Sequence, residues 1–175
     1  MLVCPYCGTD DLIEGDEQCG LCGQPLTDQF IRLPATSVEA DLLKDRVGDL
    51  PSHEPSVLGA DATVGEALEC MVNGRIGCVL IVVDGKLAGI FSERDALLRL
   101  GPHGGERHDQ PIVRYMTPDP ATILADDKIA FAMHKMDVGG YRHLPVMEGD
   151  KPVSIISIRD ILRYVTEHDR EAAAS

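Results

Sequence analysis

With 175 residues, 44% of them apolar, the chain is long enough for one packed domain, or a compact domain with a small appendage, and too apolar to be globally disordered. Aromatic residues make up only 4% and Trp is missing, so the core must be built from Val, Ile, Leu, Ala and Met. A formal net charge of -13 repels polyanions and argues against a nucleic-acid partner, and the longest aliphatic run, VLIVV at 79–83, is far short of the roughly 20 residues of a membrane span.

The chain opens MLVCPYCGTDD, without the basic and apolar stretches of a secretion signal, so the expectation is a soluble cytoplasmic protein. Four of the six cysteines follow at once. Cys4 and Cys7 (CPYCG) and Cys19 and Cys22 (CGLCG) form two Cys-x-x-Cys pairs eleven residues apart. A tight turn lets two thiolates converge on one ion, and two such turns supply the four soft ligands of tetrahedral zinc. Gly8 and Gly23, one after each pair, permit the left-handed backbone that such turns favour. Two disulfides are the competing structure, disfavoured in a reducing compartment. Thioredoxin-like redox chemistry needs a strand before a helical Cys pair, and no such pattern surrounds either one.

This segment, residues 1–28, resembles zinc-ribbon modules. It also resembles rubredoxin knuckles, so iron in four-sulfur coordination stands as the alternative, although the loop between the pairs is too short to supply a rubredoxin's aromatic core. Asp10, Asp11, Glu14, Asp16, Glu17 and Asp28 occur in residues 1–31 without a single Lys or Arg, which opposes phosphate binding. A structural role or contact with an unidentified protein partner fits better.

Residues 29–46 read as a linker with a helix. Beyond them the chain repeats itself. Shifted by 65 residues, from Ser92 to Ser157, the stretch 47–100 overlies 112–165 without a gap. Pro55, Ala60, Asp61, Ala67, Met71, Gly74, Lys86, Ile90, Ser92, Arg94, Asp95 and Leu97 meet identical residues at Pro120, Ala125, Asp126, Ala132, Met136, Gly139, Lys151, Ile155, Ser157, Arg159, Asp160 and Leu162. Chance would supply only about four identities at ordinary composition.

Each copy opens with an amphipathic helix, spaced i, i+3, i+4, i+7 at Val64, Ala67, Leu68 and Met71, then at Ile129, Ala132, Met133 and Met136. A strand follows (CVLIVV, then HLPVM), a turn (DGK, then EGDK), a second strand (LAGIF, then VSIIS) and a closing helix (SERDALLRL, then SIRDILRYV). Gly101 and Pro102 are expected to stop the first closing helix, while the second can continue through TEHDREA. The predicted fold is α+β, built from two β-α-β-β-α units.

GIFSERD at 89–95, RHLPV at 142–146 and the tandem spacing resemble a pair of CBS domains, a Bateman module, over roughly residues 45–168. The resemblance implies repeats at 47–106 and 107–168 packed as a pseudo-twofold pair behind the zinc ribbon, with 169–175 as a tail. It also implies a homodimer and a regulatory adenosyl ligand: AMP, ATP or S-adenosylmethionine.

Ser92-x-x-Asp95 and Ser157-x-x-Asp160 admit two readings. As a capping box, Ser caps the helix and Asp reaches back to a free amide, with no ligand needed. As a nucleotide site, the helix start presents N–H groups and positive dipole to phosphate, and the Asp accepts from the vicinal hydroxyls of a ribose. The resemblance adds partners from the other repeat. Site one would join Ser92, Arg94 and Asp95 with Thr117, Tyr141, Arg142 and His143. Site two would join Ser157, Arg159 and Asp160 with Ile76, Gly77 and Cys78.

Site one has Arg142 and His143 for a phosphate and Gly89 for close backbone approach; site two has Ser154 at the matching place and no added charge. Cys70 and Cys78 read as core residues, and His103 and His108 as solvated. No catalytic constellation emerges, so the expectation is a binding module and not an enzyme. The runner-up is an iron electron-transfer protein with the repeats as a dimer scaffold.

Overall fold

The computed structural model describes residues 4, 6, 7, 9, 18–24, 26 and 36–174, except for the side chains of 102–104 and 171–174. Gly8, the acidic residues Asp10, Asp11, Glu14, Asp16, Glu17 and Asp28, the linker up to residue 35, the His103 side chain and Ser175 lie outside the described residues. The helices are α1 (Ser37–Lys44), α2 (Val64–Gly74), α3 (Glu93–Asp95), α4 (Ile129–Gly139) and α5 (Ile158–Ala174). The strands are β1 (Val57–Gly59), β2 (Cys78–Val83), β3 (Lys86–Ser92), β4 (Thr117–Pro118), β5 (Ile123–Leu124), β6 (His143–Glu148) and β7 (Lys151–Ser157). They form a four-stranded sheet in the order β1-β2-β3-β4 and a three-stranded sheet in the order β5-β6-β7, the mixed α+β class expected from the sequence.

The chain divides into two compact units. The sheet-rich unit takes His53–Thr122 and His143–Ile155. Its helix α2 starts at a capping box: the Glu66 N–H donates to Thr63 Oγ1 at 3.2 Å, and the Thr63 N–H donates to Glu66 Oε2 at 2.7 Å. The apolar stripe of α2 buries Val64, Ala67 and Met71 in one cluster with Val79, Ile81, Phe91, Leu100 and Ile112. The intervening residues of β2 go to a second cluster, Cys78 and Leu80 with Ile90. Burial on both faces explains why CVLIVV is an unbroken apolar run and not an alternation.

Two-residue turns set the hairpin registers. Between β2 and β3, Asp84 and Gly85 both take positive φ, 50° and 79°, the type I′ geometry that suits the twist of paired strands. Between β6 and β7 the order is Gly149-Asp150 and Gly149 takes φ 59°, as a type II′ turn requires. The tips meet in an exposed ion pair, Lys86 Nζ to Asp150 Oδ2 at 2.6 Å. β4 pairs with the far end of β3, Ile90 opposite Thr117. Gly89 makes room for it, because a Cβ there would lie 2.4 Å from Met116 Sδ.

The closing helix of the first repeat departs from its expected form. After three α-helical residues the chain widens into a π-turn over Ala96–Leu100, which the Gly101 N–H closes by donating to Ala96 O. The wide turn drops Leu100 into the α2 cluster and leaves Leu97 and Leu98 outward. The chain then continues as a 3-10 helix over Gly101–Arg107. His108 is exposed, as expected, and its ring lies over Gly65, where a Cβ would be 2.1 Å from its Cε1.

The helical unit takes Met1–Ser52, Ile123–Arg142 and Ile156–Ser175. Here α1, α4 and α5 pack through Val38 and Leu42, Ile129, Phe131, Ala132 and Met136, and Ile161 and Tyr164. Tyr164 donates its hydroxyl to Asp45 Oδ2 at 2.6 Å. Helix α5 runs on through TEHDREA, as its sequence suggests.

Phe91→Ala should cost about 3–5 kcal/mol, the range for emptying a fully buried aromatic position. Leu97→Ala should stay within about 0.5 kcal/mol. Urea unfolding followed by circular dichroism separates the two, and equal effects would contradict this packing.

Candidate functional site

Each repeat buries one carboxylate where a strand hands over to a helix. Asp95 is 7% exposed and Asp160 2%. In the first repeat Asp95 Oδ2 accepts from the Ser92 N–H at 3.0 Å and from Ser92 Oγ at 2.6 Å. In the second, Asp160 Oδ2 accepts from the Ser157 N–H at 2.8 Å and from Ser157 Oγ at 2.7 Å. The strand end is tied in the same way in both copies: Glu93 N–H donates to Gly77 O at 3.0 Å, and Ile158 N–H donates to Arg142 O at 2.9 Å, residue pairs that correspond under the 65-residue shift. The Asp95 N–H also donates to Ser92 Oγ, at 3.4 Å, so the capping box expected of Ser-x-x-Asp is formed in the first repeat.

Around Asp95 the bonding goes further. Oδ1 accepts from Thr117 Oγ1 at 2.8 Å, a contact that the β3–β4 pairing brings about. The same oxygen lies 3.4 Å from Nε of Arg99. Arg99 also donates Nη2 to Thr117 Oγ1 at 3.1 Å and Nη1 to the carbonyls of Tyr115, at 3.1 Å, and Met116. Sequence reading missed Arg99. Its one visible signal is the i, i+4 spacing from Asp95, a common ion-pair register on a helix.

Ser92, Asp95 and Thr117 are thus brought together. Arg94 and Arg159 are exposed. Tyr141 and Arg142 are exposed beyond the end of α4, with the Tyr141 ring over Gly139. Ile76 packs against the α2 cluster. Gly77 and His143, assigned to different sites from the sequence, face each other: a Cβ on Gly77 would stand 2.6 Å from His143 Cε1 and 3.6 Å from Glu93 Oε2. Cys78 is buried beside them. Burial first, then the charges of Glu93 and Asp95, push its thiol up to about 12.

The four N-terminal thiols converge. Cys4 Sγ lies 3.7 Å from Cys22 Sγ and Cys7 Sγ lies 3.6 Å from Cys19 Sγ, with all four sulfurs within 4.8 Å of one another. A tetrahedron with metal–sulfur bonds of about 2.3 Å has edges of about 3.8 Å, whereas a disulfide needs about 2.05 Å. The donor set therefore fits one tetrahedral ion. Burial raises the Cys7 thiol to about 11; at Cys19 burial is outweighed by the backbone amides of Cys22 and Leu21 and by neighbouring thiols, which bring it to about 7. Gly23 takes φ 70° in the second knuckle, and Gln24 just after it places Nε2 2.7 Å from Nδ1 of His134 on α4.

Comparison with known proteins decides the family. Residues 47–101 and 112–167 each match the CBS domain. The chain belongs to the CBS-domain family. Its tandem CBS pair is 32% identical over 121 residues to the meiotically up-regulated gene 70 protein of Schizosaccharomyces pombe, a match covering 69% of this chain and 17% of that protein. This CBS protein thus spans less than a fifth of that relative's length. Among solved structures, the CBS-domain-containing protein ATU1752 from Agrobacterium tumefaciens has a TM-score of 0.59 at 30% identity, covering 70% of this chain and 94% of that one. The CBS domain protein PAE2072 from Pyrobaculum aerophilum, solved in complex with AMP, has a TM-score of 0.59 at 26% identity, covering 70% and 99%. Among the described residues of the CBS pair and its appendage, no helix is long and apolar enough to cross a membrane.

Iodoacetamide at pH 8 should leave Cys78 unmodified in the folded protein and alkylate it once urea is added, because the thiolate is the reactive form and burial suppresses it. Peptide mass mapping reads the result. Labelling of folded Cys78 at the rate of a free thiol would contradict its burial.

Proposed function

We propose that this CBS pair is a regulatory module that binds an adenosyl nucleotide, with the Asp95 carboxylate receiving the ribose hydroxyls. The observation that carries this reading is the buried carboxylate at the strand–helix junction, present in both repeats and already bonded to hydroxyl donors. Ser92 Oγ and Thr117 Oγ1 occupy the positions of donors that a ribose diol also supplies. The AMP complex of PAE2072 supports the ligand class. His143, half-buried against Gly77 and near Glu93, is a polar group on the same unit for the rest of the ligand. Asp160 with Ser157 forms the corresponding group of the second repeat. Binding would act by population shift, favouring the arrangement that the ligand holds.

Calorimetric titration of the full chain with adenosine, AMP, ATP and S-adenosylmethionine tests this. At least one should bind and raise the melting temperature, by about 2.7 kcal/mol of stability at a hundredfold excess over Kd. Asp95→Ala should cost about 0.5–2 kcal/mol of stability as a lost cap and also abolish most of that protection. Heat from none of the four would leave Ser-x-x-Asp as a helix cap alone.

We further propose that the four-cysteine segment binds zinc as a structural ion and offers a surface for intersubunit contact in a homodimer or for a protein partner. Four free thiols at tetrahedral spacing support this and suit the reducing cytoplasm. Purified protein should carry about one zinc per chain, and Cys4→Ser or Cys22→Ser should lose it while the repeats stay folded. A red protein with iron in its place would favour an electron carrier built on a CBS scaffold. Full zinc content in both variants would sink the assignment.

A further inference from the structure

Asp95 is bonded on every side that a ribose would need. A carboxylate offers about four acceptor positions. Ser92 N–H and Ser92 Oγ take Oδ2, while Thr117 Oγ1 and Arg99 Nε crowd Oδ1. A ribose diol brings two hydroxyl donors, so two existing donors must yield.

The donors are not equally able to leave. Ser92 is three residues away in the same cap, and its hydrogen bonds are short. Thr117 is held opposite Ile90 by strand pairing. Arg99 is different. Its contact with Asp95 is the longest of the four at 3.4 Å, its side chain is 40% exposed, and its long stem can swing into solvent. It also accounts for Thr117, because Nη2 donates to the same hydroxyl that Asp95 accepts from. Moving one guanidinium therefore frees one acceptor position on Oδ1 and takes away the donor that holds the Thr117 hydroxyl beside it.

We propose that Arg99 is an internal occupant of the ribose position, a built-in competitor that the nucleotide must displace. This rests on the reading that Asp95 receives ribose. Arg99 then sets the affinity threshold of the first repeat and favours ligands able to replace its bonds: sugars with both vicinal hydroxyls. The second repeat does not carry this arginine. Position 164, which corresponds to Arg99, is a tyrosine whose hydroxyl goes to Asp45.

Calorimetry on the full chain with adenosine and with 2′,3′-dideoxyadenosine tests this in the parent, Arg99→Met and Arg99→Lys. Adenosine should bind about tenfold more tightly to Arg99→Met, the scale of one released charged hydrogen bond. Dideoxyadenosine, which has no hydroxyls for the vacated carboxylate, should change less than about twofold on that scale. Lysine lacks the fork that reaches Asp95 and Thr117 together, so Arg99→Lys should fall between parent and Arg99→Met. In the parent, added salt should screen the exposed Arg99 charge and strengthen binding of neutral adenosine, an effect that Arg99→Met should lose.

Heat from the parent, with an unchanged ratio of adenosine to dideoxyadenosine affinity in folded Arg99→Met, overturns the competitor alone. So does parent affinity that is indifferent to salt, a measurement needing no variant. No heat from any of the three proteins overturns the ribose reading, and this inference with it.

Discussion

The structure turns on a costly choice made twice: a carboxylate is buried where a strand becomes a helix. An ionised carboxylate away from water is tolerated only if its oxygens are hydrogen-bonded. That requirement dictates the neighbours. Serine must precede each Asp by three residues, so that its amide and hydroxyl reach one oxygen. In the first repeat Thr117 must be carried to the other oxygen, so β4 pairs with the end of β3, and Gly89 lacks a side chain so that Met116 can pass. A cap and a ligand site thus ask for the same atoms. The capping geometry alone does not separate them; the second layer around Asp95, which a cap does not require, is what favours a site.

The repeats share this junction but not its surroundings. The first has an arginine at position 99 and a wide π-turn that turns Leu100 inward. The second has Tyr164 at the matching place on a continuous helix, and the bond made there joins α5 to the chain after α1. Duplication kept the buried carboxylate and let the flanking chemistry diverge, one copy toward a charged cluster and the other toward helix packing. The same division appears in the turns: Asp84-Gly85 and Gly149-Asp150 reverse both the residues and the turn type, yet leave hairpins of equal length.

What the sequence reveals follows from range. The helices α2 and α4 show as i, i+3, i+4, i+7 stripes and the four long strands as apolar runs, because both are repeated local decisions. The Ser-x-x-Asp junctions are legible for the same reason, as are the cysteine pairs. Strands β1, β4 and β5 are two or three residues long, too short to carry a period. The π-turn is invisible because SERDALLRL is sound α-helical sequence; the pull of Leu100 toward Val79 and Ile112 decides it, and that is a tertiary fact. Arg99 escaped because two of its acceptors are backbone carbonyls, which leave no mark in the side-chain pattern. Likewise nothing in Gly77 or His143 announces that one faces the other.

The Tyr164 hydroxyl bond to Asp45 also gives the chain an optical gauge. Without tryptophan, its near-ultraviolet emission comes from four tyrosines, of which Tyr164 alone is buried. A phenol that donates to a carboxylate emits weakly, since the excited ring passes its proton across the bond. Burial and the nearby Asp45 also hold its ground-state ionisation well above that of a free tyrosine. Loosening of α5 would therefore brighten the protein, and the helical unit carries its own dye.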